Sequence, residues 1–388
     1  YCEDCGIVPV QENDLPVLLP DKVKFGIGNP LETNKKFVEV KCPECGKKAR
    51  RETDTMDTFF DSSWYYLRYT DAKNKKAPFD SKKADYWMPV DFYTGGAEHA
   101  VLHLIYARFF SKALRDMKYV SYNEPFTRLF NQGMIHGEDG YVMSKSRGNV
   151  IDPLDISEKY GTDALRLFLV SVSSPDKDSM WSDTGIESMS KFIKKLYEII
   201  KNMKIGESSR RFQSKLNLTI KKVTEEIEYI RYNIAVINIR ELIQKLEQED
   251  EVNKNDLEMI VRLISPFTPH IAEELWGNLK NKGFVSLAEW PKSDESKIDL
   301  NIEKIERDID NVILDIFNII KIIKEKGKET NRVYLYAIPN EVENYNAVEL
   351  TRRIGKEVNV FAVNDKNKYD PEGKSSKAKP GKPGIYLE

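Results

Sequence analysis

The cysteines constrain this chain most. There are four, Cys2, Cys5, Cys42 and Cys45, arranged as two Cys-x-x-Cys pairs with 36 residues between them. Two thiolates at that spacing share one tight turn, and two such turns close a tetrahedral Zn²⁺ site. Each pair is followed by a glycine, Gly6 or Gly46, that permits the backbone to turn. Lys41, Lys47 and Lys48 flank the second pair and offset the charge of four thiolates. Disulfides and two separate redox motifs are the competing readings, and nothing marks the chain as secreted. A structural zinc is expected, and with four cysteine ligands no coordination position is open for catalysis.

At 388 residues, with 40 % hydrophobic and 31 % charged residues, the chain has material for two or three packed domains. Sixty basic residues stand against 62 acidic ones, so no global field announces a nucleic-acid partner, although a local basic face is compatible with that balance. The most apolar stretch, Val312 to Ile323, is cut by Asp315, Asn318 and Lys321 and falls short of the ~18 apolar residues of a membrane span. The chain opens at Tyr1 rather than methionine, the start expected of a piece of a longer polypeptide.

Residues 1–52 read as a cysteine module with short strands such as Lys36 to Lys41. Beyond Thr53 the chain turns aromatic, with Phe59-Phe60-Asp61-Ser62-Ser63-Trp64-Tyr65-Tyr66. A strand is expected over Tyr86 to Tyr93, ending at Gly95-Gly96, then a helix from Glu98 to Leu114. A second strand, Arg128 to Ile135, leads into Gly137 to Gly140. Strand, glycine turn, helix, strand is the rhythm of an α/β sheet whose loops carry a ligand. From Asp152-Pro153 onward apolar residues recur at three and four, predicting helices near 186–204, 212–229, 234–249 and 256–279. Pro291 to Asp294 reads as a linker. A long helix (302–326), strand (332–338), helix (341–354) and strand (358–363) complete a small α+β domain with a Lys-, Gly- and Pro-rich tail, Lys374–Lys382.

Two loops carry chemistry. In Met143-Ser144-Lys145-Ser146-Arg147-Gly148-Asn149 a lysine sits between hydroxyl residues beside a glycine turn. An ammonium, hydroxyls and backbone N–H groups together suit a polyphosphate. It is not a P-loop, whose glycine spacing is absent. The second is Tyr93-Thr94-Gly95-Gly96-Ala97-Glu98-His99-Ala100-Val101-Leu102-His103. Its glycines let a ligand approach the backbone, and Glu98 is placed to accept from ribose hydroxyls. His99 and His103, four apart, are expected on one helix face. The glutamate precedes the first histidine and no third ligand is evident, so they read as substrate-lining rather than metal-binding. His136 reads as a loop residue. Met134 and Ile135 read as core that also suits packing on a planar base.

These motifs resemble the class I aminoacyl-tRNA synthetases, and the surrounding residues narrow the resemblance to leucyl-tRNA synthetases of the bacterial type. The segments that carry it are Glu52 to Phe59, Asp61 to Tyr65, Tyr93 to Ala100, Asn131 to Ile135, Ser265-Pro266-Phe267-Thr268-Pro269-His270 through Trp276, and Pro383 to Glu388. The resemblance implies a multidomain α/β plus all-α protein. Its parts would be a zinc-binding module (1–52), the second half of a class I Rossmann-type catalytic sheet with the Met-Ser-Lys-Ser loop and connecting helices (53–185), an anticodon-binding-type helical bundle that binds tRNA (186–298), and a C-terminal α+β tRNA-contacting domain (299–388).

It further implies ATP, with Mg²⁺ on its phosphates, gripped by Met143, Ser144, Lys145 and Ser146. Lys145 would stabilise charge as pyrophosphate leaves. The adenosine would lie on Gly95 and Gly96, its ribose near Glu98, its base on Met134 and Ile135. Leucine would sit among Phe59, Ser62, Tyr65, Tyr93, His99 and His103, an apolar pocket selecting by fit. tRNA(Leu) would be the partner, in the cytoplasm, with no membrane. Basic pairs Lys194-Lys195, Arg210-Arg211, Lys221-Lys222, Arg352-Arg353 and the tail Lys374–Lys382 are candidate phosphate contacts, with solvated helix faces as the bland alternative.

Two departures stand out. Val142 occupies the first position of the family's lysine–methionine–serine–lysine–serine loop, and the family's His-x-Gly-His is absent among His99, His103, His136 and His270. No editing domain is recognisable either. The chain is therefore expected to be either a fragment or one subunit of a split enzyme, inactive without an N-terminal half. A non-catalytic tRNA-binding module is the second reading. A zinc-ribbon DNA-binding protein is a third, and it leaves both loops unexplained.

Overall fold

A computed structural model describes residues 1–327 and 329–388. The chain divides into two compact units, Tyr1–Gln132 and Gly133–Glu388. No helix among the described residues is long and apolar enough to cross a membrane.

In the first unit, strands β1 (Glu39–Lys41) and β2 (Lys48–Arg50) pair antiparallel, and Lys41 opposite Lys48 closes the turn that holds Cys42 and Cys45. Cys2 bridges Ala49 at the same hairpin, and the Tyr1 ammonium donates to the Arg50 carbonyl at 2.7 Å. The strand expected over 36–41 is shorter. Asn34 caps a helical turn, Lys35–Val38, by accepting the Phe37 N–H, and this takes up the residues before β1. Between the two turns, Ile7, Leu18, Phe25 and Ile27 project into solvent.

Helices α1 (Tyr65–Thr70), α2 (Ser81–Trp87) and α3 (His103–Asp116) pack through Tyr66, Leu67, Phe79, Ala84, Met88, Ala107 and Val120. The strand expected over 86–93 is corrected. Asp80 caps α2 by accepting the Lys83 N–H and Ala84 is buried, so the helix runs through Tyr86 and Trp87. Regular pairing begins at β3 (Tyr93–Gly96), which runs parallel to β4 (Leu129–Gln132) in the register Tyr93 to Leu129 and Gly96 to Gln132. The helix expected from Glu98 is also split. Ala97–Val101 is a 3₁₀ turn, and Leu102, at φ −120° and ψ −106°, breaks it from α3.

In the second unit, β5 (Ile135–His136) pairs parallel with β6 (Ser179–Met180). Between them come α4 (Pro153–Tyr160) and α5 (Thr162–Ser171). Asp152 caps α4 by accepting the Leu154 N–H, with proline in the first turn. The helices α6 (Asp183–Asn202), α7 (Arg210–Glu228), α8 (Tyr232–Leu246), α9 (Lys254–Ile264) and α10 (Pro269–Asn278) share one apolar core that includes Phe212, Leu246, Leu257 and Ile260. The single helix expected over 256–279 is two, because Pro266 and Pro269 interrupt the backbone hydrogen-bond ladder.

A second, separate core joins α11 (Leu300–Glu325) and α12 (Ala347–Ile354) to a sheet of β7 (Arg332–Ala337), β8 (Glu357–Ala362) and β9 (Gly384–Leu387). β7 lies centrally, with β8 parallel and β9 antiparallel to it. The sequence reading did not anticipate β9, and α12 is shorter than expected, starting only after Asn346 caps it.

Candidate functional site

The four cysteine sulfurs lie within 4.8 Å of one another, with Cys2 and Cys42 buried. Each knuckle closes on itself. The Gly6 N–H donates to the Cys2 carbonyl and the Gly46 N–H to the Cys42 carbonyl, both at 2.9 Å, with the glycines at φ 74° and 70°. A tetrahedral zinc with ~2.3 Å bonds separates its sulfurs by ~3.8 Å. The Cys2–Cys45 spacing of 3.5 Å fits that and is far too long for a disulfide. Backbone N–H groups of Cys45 and Glu44 hold the Cys42 thiol down at about 7, while the hydrogen bond to the Cys45 thiol pushes Cys5 up, so protons are shared unevenly across the cluster.

The first unit also assembles an aromatic wall. Tyr93 Oη lies 2.9 Å from Tyr65 Oη and 2.7 Å from His103 Nε2, and its ring stacks on Phe126 with centroids 3.7 Å apart. Phe59 meets the His99 ring edge-on at 6.1 Å, and His99 meets His103 at 6.2 Å. So Phe59, Tyr65, Tyr93, His99 and His103 converge. Ser62 is on the same turn as Phe59, but its hydroxyl donates to the Phe59 carbonyl at 3.2 Å. The expectation that both histidines share one helix face is corrected. The Leu102 break leaves His99 on the 3₁₀ turn and His103 at the start of α3, and the fold rather than helix periodicity brings their rings together.

Burial pushes the Tyr93 hydroxyl above its ordinary range and the His103 imidazole below its own, with His99 adding to the latter. Both groups are thus neutral near pH 7. His99 Nδ1 and His103 Nδ1 are buried without a hydrogen-bond partner among the described residues, a cost of about 1–3 kcal/mol each until satisfied. Beside the wall, Gly95 leaves open space where a Cβ would stand, whereas a Cβ on Gly96 would collide with the Glu98 carboxylate, which folds over it. Glu98 Oε1 is 3.9 Å from His99 Nε2.

The lysine–serine loop belongs to the second unit. Met143 packs against the helical core with Ile151, Ile156 and Tyr160, while Ser144 is half-buried and Lys145 and Ser146 are exposed. Ser144 and Ser146 hydroxyls are 3.3 Å apart. No carboxylate lies within ion-pair distance of Lys145 among the described residues, so its ammonium is available to a ligand; Val142 forms a bridge with His136. Met134 and Ile135 are 38 % and 37 % exposed, which corrects the reading of them as core and leaves an apolar edge.

His136 is not a plain loop residue either. It lies on β5, with Nδ1 2.9 Å from the Gly140 carbonyl and Nε2 3.3 Å from Asp178, which together raise its pKa. Asp178 also accepts the Met134 N–H at 2.8 Å. The sequence reading missed Asp139, Asn149 and Asp178 as loop supports. The signal was available at the first two, as short polar side chains beside Gly140 and Gly148 tend to bond to nearby backbone.

Most candidate phosphate contacts are engaged internally. Arg211 pairs with Glu306 and Glu349 at 3.2 Å, Arg210 with Asp299 at 2.8 Å, Lys221 with Glu295 at 2.6 Å and Lys195 with Glu247 at 2.7 Å. Arg353 pairs with Asp310 and Arg352 with Asp250. Several of these pairs tie α7 to α11 and α12, whose apolar core is separate.

Residues 29–182 match the family model described as tRNA synthetases class I (I, L, M and V), and residues 209–335 match the anticodon-binding domain of tRNA ligase. Among curated relatives, the leucine–tRNA ligase of Dehalococcoides mccartyi is 47 % identical over 309 residues, covering 76 % of this chain and 38 % of the relative. That of Thermotoga maritima is 45 % identical over 332 residues, covering 79 % and 40 %. A solved LeuRS–tRNA–LeuAMS ternary complex from Agrobacterium radiobacter K84 superposes with a TM-score of 0.69 at 36 % identity, covering 77 % of this chain and 42 % of that one. The chain thus spans about two fifths of the length of the curated relatives it matches.

Proposed function

The chain belongs to the leucine–tRNA ligase family over the span it shares with those relatives, and from that premise we propose that it contributes to ATP-dependent activation of leucine and its transfer to tRNA(Leu). In this reading residues 53–185 are the second half of the catalytic sheet, 186–298 the tRNA-binding bundle, and 299–388 a further tRNA-contacting domain. The leucine side chain lies among Phe59, Ser62, Tyr65, Tyr93, His99 and His103, where Tyr93 and His103 are neutral. The ribose of the adenosine lies along Gly95 and Gly96 at Glu98, and in the second unit the exposed apolar edge of Met134 and Ile135 suits a planar base.

Met143 to Ser146 grip the phosphates. The leucine carboxylate attacks the α-phosphorus and pyrophosphate leaves, while Lys145 offsets the developing negative charge. Mg²⁺ accompanying ATP supplies further charge neutralisation. A ribose hydroxyl of the terminal adenosine of tRNA then attacks the leucyl carbonyl, the acyl–phosphate bond breaks and AMP leaves. Cys2, Cys5, Cys42 and Cys45 hold a structural Zn²⁺ that supplies folding energy to residues 1–52. Because His-x-Gly-His is absent from this chain, the activity requires an N-terminal half, and the setting is the cytoplasm.

The observation that carries this reading is the Met-Ser-Lys-Ser loop, with an exposed Lys145 that has no ion-pair partner among the described residues, on a frame held to the helical core. Leucine-dependent ATP–pyrophosphate exchange tests it. The chain alone is expected to be silent, and exchange should appear when a separately made N-terminal part is added. Lys145→Ala should then cost ~10²–10³-fold in rate, the scale of one lost charge-stabilising donor. Silence of the mixture, from folded protein that binds tRNA(Leu), would replace this reading with that of a non-catalytic tRNA-binding module.

A further inference from the structure

The loop bearing Lys145 is closed at its neck by two side chains. Ser144 opens the loop and Asn149 ends it. The Asn149 carboxamide faces two ways. Its Oδ1 accepts the Ser144 N–H at 2.8 Å, while Nδ2 donates to both Asp139 carboxylate oxygens at 3.2 Å. Asp139 in turn accepts the Tyr141 N–H at 3.1 Å, and the Tyr141 carbonyl accepts from Asn149 Nδ2 at 3.4 Å and from the Gly137 N–H at 2.8 Å.

Gly137 makes room for this arrangement. A Cβ there would stand 2.8 Å from Asp139 Oδ1 and 3.2 Å from Asn149 Nδ2. The tip of the loop has much less holding it. Its internal bonds are Arg147 N–H to the Ser144 carbonyl at 3.1 Å, Gly148 N–H to the Lys145 carbonyl at 3.2 Å, and the contact between the two serine hydroxyls. Lys145, Ser146, Arg147 and Gly148 are exposed, whereas Asn149 is half-buried. Arg147 stacks on the Tyr141 ring at 4.1 Å, outside the neck.

We propose that Asp139 and Asn149 are positioning residues whose clasp joins the two ends of the Met143–Asn149 loop and thereby sets where Lys145 is presented to a polyphosphate. The clasp needs an acceptor toward Ser144 and a donor toward Asp139 in one side chain, and a carboxamide supplies both. An aspartate at 149 would keep the acceptor but set two carboxylates face to face. The inference about the ligand rests on the reading of this loop given above; the clasp itself rests on geometry.

The loop carries two trypsin sites, Lys145 and Arg147, so the cleavage rate there, located by mass spectrometry, reports how often the loop opens. Asn149→Asp is expected to raise cleavage at both sites by about tenfold, the opening expected from losing charge-assisted bonds and gaining repulsion, with Tm within ~2 °C of the parent. Protection by inorganic pyrophosphate should be lost. The double variant Asp139→Asn with Asn149→Asp exchanges donor and acceptor across the pair, though not toward the Tyr141 carbonyl, and should restore most of the slow cleavage and protection, a rescue that general destabilisation would not give. If Asn149→Asp does not fold, Asp139→Asn should show a smaller rise at the same sites. Unchanged cleavage in the single variants, or no rescue in the double one, overturns the clasp. A restored clasp with no protection by pyrophosphate even in the parent chain overturns the ligand assignment and retains the clasp.

Discussion

Asp163→Ala is expected to destabilise the helical bundle by about 1–3 kcal/mol, although the residue lies more than a hundred positions from its partners. Its side chain is only 6 % exposed. Oδ2 accepts the Ile271 N–H at 2.8 Å, and Oδ1 accepts the His270 N–H at 3.4 Å and meets His270 Nδ1 at 2.8 Å. Thr268, the residue that starts α10, makes no capping bond of its own, so a carboxylate on α5 caps α10 across the fold. Loss of a cap costs about 1–2 kcal/mol. The bond to the His270 side chain adds at most about 1 kcal/mol, because that ring is 70 % exposed and solvent screens it.

Urea unfolding followed by far-UV circular dichroism measures the sum. The reasoning also fixes an order. Asp163→Asn, which keeps an oxygen for Ile271, should cost about 1 kcal/mol, and His270→Ala less than ~0.5 kcal/mol. If His270→Ala proved as costly as Asp163→Ala, the bond to the His270 side chain and not the cap would be the source. A loss below ~0.5 kcal/mol in Asp163→Ala would refute the cap as well.

Three further outcomes follow from the same geometry. Metal analysis should find one zinc per chain, and a strong chelator should expose four reactive thiols and unfold residues 1–52 while the helical signal persists; disulfides in the isolated protein would contradict this. Arg108, and after it Lys112, hold the Glu124 carboxyl at about 2, below its ordinary 4.5. Its contribution is therefore full above pH 4.5 and lost as pH falls toward 2, so Glu124→Gln should flatten the acid limb of first-unit stability in that window, and an unchanged limb would refute the pairing. Leu257→Ala, at a fully buried position of the bundle, should cost about 2–5 kcal/mol, against less than ~0.5 kcal/mol for exposed Leu314→Ala; equal losses in denaturant melts would contradict the assigned core.

Much of this was legible from residue types alone. The cysteine spacing anticipated the clustered sulfurs, because two short turns with a following glycine leave little freedom. Periodicity located the bundle helices, since burial at every third and fourth residue is a local regularity. It failed at 256–279, where two prolines outrank the apolar pattern, and at Tyr86-Trp87, where the Asp80 cap and buried Ala84 extend a helix into a run that looks like strand. At the site, the lysine–serine loop and the aromatic residues were readable as motifs. Of their supports, Asp139 and Asn149 carried a local signal, but Asp178 did not, because it reaches Met134 across 44 residues and no local pattern encodes such a partner.

Sequence by itself therefore determined the chemistry on offer: four thiols, a lysine between serines, a run of aromatic residues and a helical framework. Tertiary structure alone decided which histidine rings meet after the Leu102 break, that most of the basic pairs are engaged by carboxylates, and that a carboxylate on α5 caps α10. The physical reason is range. Turns, caps and periodic burial depend on neighbours a few residues apart, whereas ion pairs, ring contacts and remote caps depend on packing that no short window contains.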